Sequence, residues 1–117
     1  MKDLLLIANE LEYHRAERIG AFFDLAIRWA PHPREAYQAL AEKDHNIGAI
    51  VLEITPEYAP KDAIKRLQEM TDVPLYLAVS TVNRSNVDYL PFAENVLLVY
   101  MPLSKRVIGD MVKRHFS

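Results

Sequence analysis

The chain has 117 residues, half of them hydrophobic, with a net charge of −2, no cysteine and three glycines. That length supports one compact domain, residues 1–117, with a real core and no room for a second. Disulfides, thiolate metal sites and cysteine nucleophiles are excluded, the charge gives no reason to expect direct nucleic-acid binding, and no glycine lies in a phosphate-cradling loop.

Leu4 to Ala8 reads as a first buried strand, too short for a secretory signal or a membrane span. A cytoplasmic protein with no membrane contact is expected. Leu11 to Phe23 has helical spacing, with Ala16, Ile19, Phe22 and Phe23 on one face and Glu12, Arg15 and Arg18 on a solvated one. Asp24 to Trp29 is a second strand, ended by Pro31 and Pro33. Pro33 suits the first turn of a helix running to about Lys43, with Ala36, Tyr37 and Leu40 inward.

Ile47 to Ile54 is apolar at every position but Glu53 and the small Gly48, the signature of a strand covered on both faces. Pro60 opens a third helix with Ala63, Ile64, Leu67 and Met70 inward. Pro74 to Val79 is a fourth strand, and Ser85 caps a short fourth helix carrying Val87, Leu90 and Phe92. Val96 to Met101 is the fifth strand. After Pro102, Ser104 caps a final helix with Val107, Ile108, Met111 and Val112 inward.

Five strands alternating with five helices make βαβ units and a parallel sheet. Right-handed crossovers then favour an α/β, three-layer α/β/α fold whose five-stranded sheet has the flavodoxin-like order 2-1-3-4-5. In such sheets chemistry gathers at the carboxyl ends of the strands, and Glu53 ends the third one.

In length and element order the whole chain resembles the receiver domain of bacterial two-component response regulators. The resemblance implies an acidic pair after the first strand that helps to bind Mg²⁺ and an aspartate ending the third strand that accepts a phosphoryl group. It also implies a Ser or Thr ending the fourth strand and a Lys-Pro ending the fifth. Ala8 and Asn9, followed by Glu10, stand at the acidic pair, and Glu53 stands at the phosphoacceptor. Ser80, with Thr81 beside it, keeps the hydroxyl, and Met101-Pro102 replaces Lys-Pro. Pro56 also follows Glu53 by three residues, where the family usually has four.

Alanine and methionine cannot ligate Mg²⁺ or pair with phosphate, so a degenerate receiver is expected, with no catalytic residue and no cofactor. Glu10 and Glu53 alone are poor candidates for a divalent cation. The resemblance further implies that the fourth helix, fifth strand and fifth helix form the surface for a protein partner or for a homodimer. Tyr89, Phe92, Tyr100, Lys105 and Arg106 would populate it. A competing reading keeps the fold and makes it a small-molecule-binding or enzymatic domain, with Asn9, Glu53, Ser80 and Thr81 lining the ligand.

Plainer roles stand beside these. Asn9 is a good N-cap, and Lys113 and Arg114 suit a helix C-terminus. Phe22, Phe23 and Trp29 read as packing residues. His14, His32, His45 and His115 show no ligand spacing and read as surface histidines.

Overall fold

The computed structural model describes residues 2–55, 60–80 and 95–116. Its strands are β1 (Asp3–Ile7), β2 (Ile27–Ala30), β3 (Ile47–Glu53), β4 (Leu75–Val79) and β5 (Val96–Tyr100). The helices are α1 (Glu10–Phe22), α2 (Pro33–Ala41), α3 (Pro60–Met70) and α4 (Lys105–Met111), the last running into a π-helical turn, Val112–Phe116. The helix expected around Val87 to Phe92 lies outside the described residues. All strand pairs are parallel and the order is β2-β1-β3-β4-β5, as the alternation implied.

Successive residues of each inner strand face opposite layers, and both layers are apolar. Leu5, Ile7, Ile50, Leu52, Leu75 and Leu77 pack with Ala36, Leu40, Ile64 and Leu67 of α2 and α3. Leu4, Leu6, Ala49, Val51, Tyr76 and Ala78 pack with Ala16, Ile108 and Met111 of α1 and α4. This two-sided burial is why β3 has no polar alternation. Among the described residues no helix is long and apolar enough to cross a membrane.

Several boundaries differ from the sequence reading, each for a local reason. Asn9 caps α1, so the helix starts at Glu10, and its far end closes through Asp24 at φ 55°. The Leu25 N–H then returns to the Gly20 carbonyl at 2.9 Å, which delays β2 from Asp24 to Ile27. α2 stops at Ala41 because Glu42 is extended, and its carboxylate takes both Arg28 guanidinium nitrogens at 3.0 and 2.7 Å.

Phe22 is not an inner residue but is 66% exposed. At about 100° per residue it lies some 120° around the helix from Ala16, whereas Phe23 falls back on the inner stripe. Glu12 corrects in the other direction. Four residues before Ala16, it is on the inner side, and its side chain is only 13% exposed beside Arg15.

The histidines are not simple surface residues. His32 caps α2 by accepting the Arg34 N–H at 3.1 Å, and His45 Nδ1 lies 3.4 Å from the Ile47 N–H. His14 is exposed and pairs with Glu10. His115, in the π-helical turn, lies 2.6 Å from the Tyr76 hydroxyl and tethers the end of the chain to β4. Burial, aided by Arg114 and opposed by Asp110, pushes the His115 pKa below its ordinary value.

Two expectations follow for stability. A Cβ on Gly20 would meet the Leu25 carbonyl oxygen at 2.9 Å and Ile27 Cγ1 at 3.1 Å. Gly20→Ala is therefore expected to cost about 1–2 kcal/mol in urea denaturation, although alanine is the better helix former. An unchanged midpoint would mean that the entry to β2 yields.

The second concerns pH. A histidine with a depressed folded pKa contributes stability that is complete above its unfolded value of 6.5 and is lost as pH falls through the folded value. The wild type should lose stability through this range, and His115→Gln should flatten that part of the profile. Identical slopes for the two proteins would contradict the assignment.

Candidate functional site

β1, β3, β4 and β5 end side by side, which brings Ala8, Asn9, Glu53, Ser80 and Met101 to one edge of the sheet. The register sets Glu53 level with Ala78, so Ser80 lies two residues further along the neighbouring strand. Thr81 lies outside the described residues.

Asn9, Glu53 and the Ala8 carbonyl each make a contact that joins separate parts of the fold or completes a helix end. Asn9 Oδ1 accepts the Glu12 N–H at 2.9 Å, satisfying one of the open donors of the first turn of α1. The Asn9 N–H points across to Glu53, donating to its Oε1 at 3.4 Å. Glu10 turns away: it is exposed, and its carboxylate lies 3.3 Å from His14 Nε2. The Ala8 carbonyl accepts the Trp29 indole N–H at 2.8 Å, and the indole stacks on Tyr13 at 4.9 Å and 8°. Trp29 is thus the packing residue expected, with a polar tie in addition.

Receiver chemistry would place Mg²⁺ here, and this donor set does not fit it. Mg²⁺ demands near-octahedral oxygen ligands, usually with one or two carboxylates. Ala8 has no side-chain oxygen to give, the Asn9 oxygen is the helix cap, and Glu10 faces outward, so the end of β1 adds no side-chain ligand to Glu53, which itself accepts from the Asn9 N–H. Among the described residues no three His, Asp or Glu side chains cluster as a metal site. Met101, at the position of the family's lysine, packs against the α1 and α4 core, and its peptide bond to Pro102 is cis.

A concave feature flanks α4 and the β5 edge. It is a groove of about 750 Å³ lined by Tyr76, Val99, Arg106, Asp110, Lys113 and Arg114. Asp110 is held by Arg114 at 3.1 Å. Of the interface candidates, Arg106 lines this groove and Tyr100 is 45% exposed on the edge strand. Lys105 goes elsewhere: its Nζ lies 3.4 Å above the Phe22 ring, on the α1 side. Tyr89 and Phe92 lie outside the described residues. The sequence reading names this side of the domain through Tyr100 and Arg106 but not the groove itself, whose walls come from β4, β5, α4 and the π-helical turn.

The strand order is that of the receiver fold. Solved structures of the same fold bear this out. A response regulator receiver domain protein from Clostridium thermocellum superimposes with a TM-score of 0.79 at 11% identity, covering 97% of this chain and 92% of that one. An adenylate cyclase from Rhodopirellula baltica gives 0.75 at 11% identity, over 96% and 84% of the two chains. The receiver domain of the PhyR response regulator from Erythrobacter litoralis gives 0.71 at 18% identity, over 99% and 93%. At these identities the likeness is one of fold. No protein-family model and no curated protein matches the sequence.

The capping role of Asn9 has a direct consequence. Asn9→Ala should cost about 1 kcal/mol through the lost cap, whereas Asn9→Asp keeps an acceptor there and should leave thermal stability nearly unchanged. Equal losses in calorimetry would show that Asn9 does not act through its side-chain oxygen.

Proposed function

We propose that the chain is a receiver-like signalling module that works by protein recognition, without phosphoryl transfer to Glu53. One observation carries this reading: the side-chain oxygen at the metal-binding position is spent on capping α1. Phosphoryl transfer is catalysed almost wholly by positioning and by charge that neutralises the transferred group. With the lysine position occupied by a methionine packed on the core, both sources of positive charge are lost.

Glu53 then acts as a fixed charge. Its carboxylate, bonded to the Asn9 amide, ties the end of β3 to the start of α1. It carries one negative charge, where a phosphorylated side chain carries nearly two, and it is not switched. The module is read as a binding scaffold held near one conformation, not as an enzyme, and a cytoplasmic location goes with that reading. The surface around β5 and α4 supplies the recognition, with exposed Leu98 and Tyr100 on the edge strand and Arg106 on the helix. Aromatic and arginine side chains are the residue types that anchor interfaces.

The test is incubation with Mg²⁺ and acetyl phosphate, followed by intact-mass measurement. The expected spectrum is that of the untreated protein. A gain of one phosphoryl group mapping to Glu53 would overturn the reading.

A further inference from the structure

The groove between α4 and the β5 edge has a charge pattern that its helix does not explain. Cations near a helix C-terminus are favoured by the aligned peptide dipoles, which accounts for Lys113 and Arg114. Cations in the first turn face the positive end and are disfavoured. Lys105 and Arg106 are the first two residues of α4, whose N-cap is Ser104. Lys105 has an escape, over the face of Phe22. Arg106 has none: among the described residues it forms no ion pair, and it lines the groove. The helix therefore carries a charge that works against its own stability, at the mouth of a cleft.

The rest of the cleft shares that sign. Arg106 is on α4 and Lys113 is on the π-helical turn that continues it, seven residues further on, and both line the groove. Arg114 lies beside Lys113, and the one lining acid, Asp110, is already neutralised by it at 3.1 Å. Between these charges the walls are apolar or aromatic, from Val99, Val107 and Tyr76. The chain as a whole is net negative, so this is a local basic strip on an acidic protein.

We propose that the groove binds an acidic segment of a partner protein, its carboxylates meeting Arg106 and Lys113 and its apolar side chains seated on Val99 and Val107. This rests on the recognition reading above and adds the chemistry of the partner. A nucleic acid would use the same cations, but its backbone offers nothing to the valine walls. A carboxylate-bearing peptide with alternating apolar residues satisfies both parts of the site, and β5, the outer strand of the described sheet, lies beside it.

The probe is a labelled peptide alternating Glu and Val, with a Gln and Val peptide and a single-stranded oligonucleotide as comparisons. In NMR titration of the intact protein, the Glu and Val peptide should give saturable shifts at Val99, Arg106, Val107 and Lys113. Its affinity should fall steeply with salt and at least about tenfold in Arg106→Glu. The same variant should melt at an equal or higher temperature than the wild type, because it removes an unfavourable first-turn charge. A merely structural arginine would instead lower the melting temperature. Lys113→Glu gives a second, independent loss of binding.

Equal binding of the Gln and Val peptide, tighter binding of the oligonucleotide, or no saturable shift would each overturn the proposal. Phosphorylation at Glu53 together with intact peptide binding would remove the earlier reading and leave this one standing.

Discussion

The structure depends on burying both faces of a parallel sheet. In β3 every residue from Ile47 to Leu52 is buried, and its neighbours β1 and β4 are nearly as enclosed. Parallel strands cannot be joined by tight hairpins, so each connection has to cross over a face, and the crossovers supply the cover. Helices α2 and α3 close one layer, and α1 and α4 the other. The carboxyl ends of β1, β3, β4 and β5 are thereby gathered along one edge. Whatever charge stands at that edge is positioned by the core, and its chemistry is decided by very few side chains.

Those side chains make structural contacts. The oxygen of Asn9 can complete the first turn of α1 or ligate a cation, and it completes the turn. The carboxylate of Glu53 reaches the amide of the same residue. Met101 joins the apolar layer. Each of these three side chains has a structural role at the carboxyl edge. The basic strip on α4 runs the opposite way, with Arg106 kept where the helix itself gains nothing from it.

Much of this was legible in the residues. The unbroken apolar run of β3, the stripe Ala63, Ile64 and Leu67 in α3, and the proline and serine helix starts at Pro33 and Ser104 all follow from periodicity and capping. The grouping of Asn9, Glu53, Ser80 and Met101 comes instead from the resemblance to receiver domains, and the strand order places them at one edge. What was not legible depends on contacts between distant segments. The late start of β2 comes from Leu25 folding back on Gly20. The burial of Glu12 and exposure of Phe22 turn on a few tens of degrees of helix rotation. The Tyr76 and His115 contact joins residues 39 apart, and the turn of Lys105 toward Phe22 requires α1 and α4 to be neighbours.

The central claim is that the carboxyl edge holds too few free oxygen ligands to gather a divalent cation. Titrating isotope-labelled protein with Mg²⁺, and following the amides of Asn9, Glu53 and Ser80, measures that property with no phosphodonor present. The account predicts only small, linear, non-saturating changes through the millimolar range. A saturable shift centred on Glu53, lost in Glu53→Gln, would contradict it.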